Sequence, residues 1–149
     1  MVDLDDLYGD SILDHCRHPR NHGRVEGPDI SGRAVNPFCG DEVDVQVAVD
    51  SGRISRVGVQ AAGCSINQAS ASMLSETLAG KTVEEIQDLS ALFRRVMGGS
   101  EPSDEELLRL GGLSALLGVQ RFPVRIKCSL LAWSALGEGI EDYRKQLAV

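Results

Sequence analysis

The sequence predicts an α+β domain in which helices pack on one face of a small antiparallel sheet of about three strands. Three observations lead to this prediction. The chain opens with a helical pattern, continues with alternating apolar residues on both sides of a tight turn, and ends in helical patterns alone. Its 149 residues are enough to bury a core without disulfides. No repeat or long linker divides them, so we expect one domain over residues 1–149.

The first element is an amphipathic helix over residues 4–15, which stops near Pro19. Acidic residues occupy its first turn, where the helix dipole favours them. Its apolar residues have the spacing of one helical face, and they are Leu4, Leu7, Tyr8 and Ile12. Residues 20–32 carry turn-forming pairs without periodicity and predict a loop.

A hairpin forms the predicted sheet. Over residues 43–49, valines alternate with other side chains, which is the period of a strand with one face on a core. The Ser-Gly pair at 51–52 makes a tight turn into a second strand over residues 53–61. Ile54 does not share the face of the later apolar residues, which indicates a bulge or an altered register. Residues 33–37 are expected to supply the third strand.

Helical segments make up the rest of the chain. The first follows Cys64 and ends at Gly80, a residue typical of helix C-termini. Thr82 and Ser103 each stand three residues before a glutamate, which is the spacing of a capping box and predicts a helix start. Pro123 suits the first turn of the last helix. Cys64 should therefore lie at a helix N-terminus.

Composition and charge exclude several function classes. The formal charge of −7, from 15 Lys and Arg against 22 Asp and Glu, argues against nucleic acid or an anionic membrane as partner. The first residues are acidic where a targeting signal would be basic, and no apolar run is long enough to cross a bilayer. We expect a cytoplasmic protein. There, four cysteines suit metal binding or redox chemistry better than disulfides.

Cysteines in three separate motifs predict the functional site. Cys39 and Asp41 lie on a turn before the first hairpin strand, and Cys64 follows the second strand, so the hairpin should bring them to one edge of the sheet. Cys128, near the start of the last helix, completes the set. Three sulfurs and one oxygen suit tetrahedral Zn²⁺, and they also suit a small iron-sulfur cluster. The spacing does not choose between these two.

Positive charge is expected close to this site. Arg125 and Lys127 come shortly before Cys128 and put positive charge near it, which favours its thiolate. They could lie next to the ligands or on a surface that contacts a partner. Plainer interpretations exist for each residue. The cysteines could be inert buried thiols, Asp41 could be a turn residue, and the two cations could be solvated helix charges.

A second group of metal-ligating side chains consists of Cys16 with His15, His18 and His22. It has no recognised ligand spacing, since it runs from a helix into a loop. We therefore interpret Cys16 as a small packing residue and the histidines as surface or hydrogen-bonding groups.

At this point the chain resembles a known family, the iron-sulfur cluster assembly proteins of the IscU, SufU and NifU amino-terminal type. The resemblance covers almost the whole chain. It rests on NPFCGD at residues 36–41, GCSI at 63–66 with ASAS at 69–72, KCSLLA at 127–132, and ILDH at 12–15 followed by HPRNHG at 18–23.

The resemblance implies a SufE/NifU-like α+β fold and a metal site shared by Cys39, Asp41, Cys64 and Cys128. It also implies a pyridoxal-phosphate-dependent cysteine desulfurase and downstream cluster-assembly proteins as partners. Scaffold members of the IscU type usually carry histidine where this chain has Lys127, and they have a shorter connection between the second and third cysteines. Lys127 and the helical segment over residues 100–117 therefore resemble the SufU branch.

For the SufU branch, the resemblance implies a zinc-dependent sulfurtransferase that accepts persulfide sulfur from its desulfurase and passes it on. The acceptor position matches Cys39, which would leave the zinc when a desulfurase side chain takes its place. Two alternatives remain open. The protein could be a scaffold on which the same residues assemble a [2Fe-2S] cluster for transfer to apo-proteins. Alternatively, zinc could only stabilise the fold of an interaction domain that has no sulfur chemistry.

Overall fold

The computed structural model describes residues 4–37 and 40–147. Its three strands form one antiparallel sheet in which each strand pairs with the next along the chain, so the second strand is central. The α+β prediction is confirmed. In chain order the elements are α1 (Leu4–Arg17), β1 (Ile30–Asn36), β2 (Asp41–Asp50), β3 (Arg53–Ala62), α2 (Ser65–Leu78), α3 (Val83–Met97), α4 (Asp104–Leu110), a 3₁₀ helix (Gly111–Arg121) and α5 (Pro123–Leu147).

The third strand begins earlier than predicted. Residues 30–32 were expected to belong to a loop, but β1 starts at Ile30, which is buried and pairs with Val47 of β2. The alternation was hidden in the sequence because the next two inward positions are small, Gly32 and Ala34. The strand ends at Asn36, one residue before the predicted end.

The predicted bulge lies in β3. Ala48 pairs with Arg56 and Val49 pairs with Ile54, so Ser55 is the extra residue. This extra residue returns Ile54 to the core face, where only 3% of it is exposed. The bulge prediction from the displaced Ile54 is confirmed.

Three helices begin directly after residues whose side chains cap them. Cys64, Thr82 and Ser103 occupy the N-cap positions of α2, α3 and α4, and each side chain accepts a backbone N–H from three residues further on. At Ser103 the capping box is complete, because the Glu106 side chain also accepts the Ser103 N–H. Within the described ranges, no helix has the length and apolar character that a bilayer span requires.

The last helix, α5, lies unusually close to the sheet. A Cβ atom added to Gly32 would fall 1.8 Å from the carbonyl oxygen of Ala135, and one added to Gly139 would fall 2.9 Å from the carbonyl oxygen of Ser31. Only glycine on both elements permits this approach. The packing of α5 on β1 and α2 determines where Cys128 lies.

A buried histidine joins α1 to α2. His15 is 8% exposed; its Nδ1 lies 2.7 Å from Ser72 Oγ and its Nε2 lies 3.3 Å from Glu76 Oε1. Ser72 Oγ also accepts the backbone N–H of Arg20. The Ser72 hydroxyl is therefore free to donate to Nδ1, which leaves the proton of a neutral imidazole on Nε2, facing Glu76. Arg20 also pairs with Glu76 and Asp14.

We expect the stability of the metal-free protein to fall as the pH decreases through the range in which histidine titrates. Burial, with the Arg20 charge second, lowers the pKa of His15 below its ordinary value of 6.5, against the opposing charges of Glu76 and Asp14. The unfolded chain therefore binds a proton at a higher pH than the folded chain. The stabilisation is present above that ordinary value and is lost as the pH falls towards the lowered pKa.

Urea denaturation at about pH 7.5 and about pH 5.5 measures this effect. At the higher pH, His15→Gln should cost about 1–2 kcal/mol, since it disturbs the bond to Ser72. The variant should then lose less stability than the wild type on acidification. Equal losses in the two proteins would contradict the assignment to His15.

Candidate metal centre

Asp41 brings a buried carboxylate to the end of the sheet. It is the first residue of β2, pairs with Asn36 of β1, and is 1% exposed. Its Oδ1 accepts the backbone N–H of Cys64 at 2.9 Å, and its Oδ2 accepts the Cys64 thiol at 3.3 Å. Because β2 and β3 are antiparallel, the start of one strand and the end of the other meet here.

Cys64 presents its sulfur at the N-terminus of α2. The sulfur accepts the backbone N–H of Asn67 at 3.5 Å, and the helix dipole favours negative charge at this position. Gly63 lies just before it with a φ of 122°, and a Cβ atom there would fall 1.9 Å from Asp41 Oδ1. Glycine is therefore required at residue 63 for the carboxylate to reach the cysteine.

Cys128 comes from the second turn of α5 and is 3% exposed. Burial raises the pKa of its thiol to about 12, and the neighbouring Cys64 and Asp41 add to this shift. In the metal-free protein the thiol therefore keeps its proton at neutral pH. Ionisation of Cys128 would place a second negative charge close to the Asp41 carboxylate, which is unfavourable. A bound cation would offset this repulsion.

The three side chains converge on one point. One ligand atom from each of Asp41, Cys64 and Cys128 lies within 4.8 Å of the others, and among residues 10–37 and 40–147 they are the group with the side chains and spacing to hold a metal ion. Two sulfurs and an oxygen are suitable ligands for zinc or iron. Cys39, the remaining ligand of the sequence prediction, lies outside the described residues.

Lys127, which directly precedes Cys128, lines a surface pocket of about 320 Å³ together with Asn36, the register partner of Asp41. Residues 35–37, at the end of β1, line this pocket together with residues of α5 and with Arg94 of α3. Its lining combines apolar side chains with two cations, and it consists of Val35, Asn36, Pro37, Arg94, Lys127, Leu130, Leu131 and Ser134. Arg125 lies in the first turn of the same helix, and its backbone N–H donates to Phe122 O at 2.8 Å.

The second predicted group is not gathered at a single point. Cys16 donates its thiol proton to Ser65 O at 3.0 Å, and burial raises its pKa. His15 bonds to Ser72, while His22 forms an isolated bridge with Val59 at the edge of β3. These contacts fit the interpretation of Cys16 as a packing residue and of His15 as a hydrogen-bonding group.

Asn67 lies beside the site and was not predicted from the sequence. Asn67 is fully buried, and its side-chain amide donates to the backbone carbonyls of Glu42 and Ala62. The only signal in the sequence is an asparagine three residues after the N-cap Cys64. Its partners are backbone atoms of two other elements, β2 and β3, which no side-chain pattern reveals.

Comparison with known proteins gives three findings. The family described as NifU-like N terminal domain matches residues 7–148. The protein named zinc-dependent sulfurtransferase SufU from Bacillus subtilis (strain 168) is 39% identical over 139 residues, which cover 93% of this chain and 92% of that protein. The protein named iron-sulfur cluster assembly scaffold protein IscU from Streptococcus pyogenes serotype M1 is 38% identical, over 93% of this chain and 85% of its own length.

Among solved structures, the N-terminal part of a nitrogen-fixing NifU-like protein from Brucella abortus superimposes with a TM-score of 0.83. The match covers 95% of this chain and 97% of that one at 22% identity, so it supports the fold alone.

Proposed function

Because the chain belongs to the family of NifU-like N-terminal domains, we propose that it acts in iron-sulfur cluster assembly as a zinc-dependent acceptor of persulfide sulfur. The observation that carries this proposal is the convergence of Asp41, Cys64 and Cys128 within 4.8 Å. The similarity to the protein named zinc-dependent sulfurtransferase supports the choice of zinc. We place the protein in the cytoplasm, where thiols stay reduced.

In this proposal each residue of the site has its own task. Asp41, Cys64 and Cys128 hold the metal, and Cys39 is the fourth ligand and the sulfur acceptor. When bound, zinc supplies the positive charge that keeps the cysteines deprotonated at neutral pH. Without it, the thiol of Cys128 keeps its proton, because its pKa is about 12. Metal binding and the loss of thiol protons are therefore coupled.

Sulfur transfer is an exchange between two sulfur atoms. The Cys39 thiolate attacks the terminal sulfur of a persulfide on the cysteine desulfurase, and a new S–S bond forms at Cys39. The S–S bond of the donor breaks, and the desulfurase cysteine leaves as a thiolate. Cys39 then carries the persulfide to a downstream cluster-assembly protein.

The pocket next to the site is the proposed contact surface for the desulfurase. Val35 is 47% exposed at its rim, and Arg94 and Lys127 add positive charge to an otherwise acidic molecule. An apolar surface with a few cations beside a reactive cysteine suits a partner that brings its own acidic side chains.

Desulfurase turnover tests the proposal. The zinc-loaded protein should increase cysteine consumption by a cysteine desulfurase, and chelation of the zinc should abolish this increase. Inhibition by zinc, with activity and cluster absorption restored by iron, would favour a [2Fe-2S] scaffold instead. The similarity to the protein named iron-sulfur cluster assembly scaffold protein gives that second candidate its support.

The acceptor role of Cys39 leads to a separate prediction. Cys39→Ala should accept no persulfide sulfur from ³⁵S-labelled cysteine and should remain folded, since its nucleophile is missing while the other three ligands are intact. Cys16→Ala is the matched control, because it also removes one thiol and should accept sulfur normally. Label on Cys64 or Cys128 of Cys39→Ala at the wild-type rate would contradict the assignment.

A further inference from the structure

The side chain of Asn67 connects the two strand ends next to Asp41 and Cys64, two of the proposed metal ligands. Its Nδ2 donates to Glu42 O at 3.3 Å and to Ala62 O at 3.1 Å. Glu42 directly follows Asp41 in the chain, and Ala62 lies two residues before Cys64. Both N–H bonds of the amide are used, which determines its orientation.

These two residues lie opposite each other in the sheet, since Glu42 at the start of β2 and Ala62 at the end of β3 are register partners. The contact between Asp41 Oδ2 and Cys64 Sγ, at 3.3 Å, depends on the spacing of the same two strand ends. The backbone N–H of Asn67 also donates to Cys64 Sγ. Asn67 therefore contacts the sulfur of Cys64 and both strand ends that position Asp41 and Cys64.

Packing alone does not account for an amide at this place. Asn67 is 0% exposed, and its Oδ1 has no hydrogen-bond partner among residues 10–37 and 40–147. A buried acceptor without a partner lowers stability, and an apolar side chain would avoid that cost. Compared with an apolar side chain, the amide adds the two hydrogen bonds to the strand ends.

We propose that Asn67 is a positioning residue of the metal centre, because its amide holds the strand ends at the separation that lets Asp41 and Cys64 bind one ion. The inference rests on the metal binding of the proposed function. Residues that orient metal ligands from outside typically change metal affinity about 10- to 100-fold when they are replaced. We expect Asn67→Ala to weaken zinc binding by about that factor.

Zinc affinity is measured by competition with a chromophoric chelator, and the geometry of the site by the visible absorption of the Co²⁺-substituted protein. Asn67→Ala should lower the affinity and change the Co²⁺ spectrum, whereas Asn67→Ser, which keeps one short donor, should lie between it and the wild type.

Ser75→Ala is the matched control. Ser75 is buried in the same helix, about 12 Å further along, and its hydroxyl likewise lies near two backbone carbonyls, those of Ser72 and Arg20. This variant should unfold at a lower temperature and keep the wild-type zinc affinity and Co²⁺ spectrum. That contrast separates a loss of stability from a loss of ligand positioning.

Wild-type affinity and an unchanged Co²⁺ spectrum in Asn67→Ala would overturn the inference and leave the proposed function intact. If Asn67→Ala does not fold, the same result in Asn67→Ser would overturn it. Absence of zinc and Co²⁺ binding by the wild type would overturn both the inference and the proposed function.

Discussion

Cys64→Ser should abolish zinc binding and leave the fold intact. Serine is a preferred N-cap residue, so its hydroxyl can accept the Asn67 N–H in place of the sulfur and α2 should begin as before. The hydroxyl does not ionise at neutral pH and is a poor ligand for zinc. We expect the zinc affinity to fall by more than the ~100-fold that the loss of an outer contact costs.

Chelator competition measures the affinity, and circular dichroism of the metal-free protein measures the helix content. Cys16→Ser is the control. The Cys16 thiol donates a hydrogen bond to the carbonyl oxygen of Ser65, the residue after Cys64, but Cys16 lies outside the group of three candidate ligands. It should bind zinc as the wild type does. Cys64→Ser with undiminished affinity would show that the converging side chains are not the metal site.

Gly63→Ala should both destabilise the protein and displace the metal ligands. A φ of 122° costs a residue with a Cβ atom about 1–2 kcal/mol, and overpacking typically costs about 1–3 kcal/mol more. The added Cβ atom would fall 1.9 Å from Asp41 Oδ1, so the carboxylate has to move. We expect a loss of about 2–5 kcal/mol, together with weaker zinc binding.

Gly99→Ala isolates the backbone contribution. Its φ is 113°, close to that of Gly63, and a Cβ atom there would meet nothing within 4 Å. Gly99→Ala should lower the free energy of unfolding by about 1–2 kcal/mol through backbone strain and leave the zinc affinity unchanged. Urea denaturation of the metal-free variants and chelator competition provide the two readouts. Equal effects of the two substitutions would contradict the overlap with Asp41.

Local patterns in the sequence predict much of the sheet and most helix starts. The alternating valines identified β2, and the displaced Ile54 predicted the bulge, because the period of a strand depends only on neighbouring residues. The start of β1 was missed, since Gly32 and Ala34 at its inward positions carry little apolar signal. Small residues are needed there for α5 to approach, which is a tertiary requirement.

The capping-box spacing at Ser103 predicts a helix start, and the whole segment over residues 100–117 was expected to be helical. It divides into α4 and a 3₁₀ helix, and Gly111 at the junction has a φ of 54°, which no α-helical residue adopts. The fold thus keeps the helical character of the segment but breaks it at a glycine pair.

For the site, the hairpin geometry predicted that Asp41 and Cys64 would meet. Cys128 was added to the site because a third thiolate suits the metal, and not from geometry, since its position depends on how α5 packs against Gly32 and α2. The contribution of Asn67 was not predictable from sequence, because the amide bonds to backbone carbonyls that become neighbours only in the folded chain.

Zinc K-edge X-ray absorption shows whether Asp41, Cys64, Cys128 and Cys39 bind one metal ion together, as we propose. The wild-type protein loaded with one equivalent of zinc should show three sulfur ligands at about 2.3 Å and one oxygen at about 2.0–2.2 Å. A zinc shell made only of oxygen and nitrogen, or one without an oxygen ligand, would contradict this proposal.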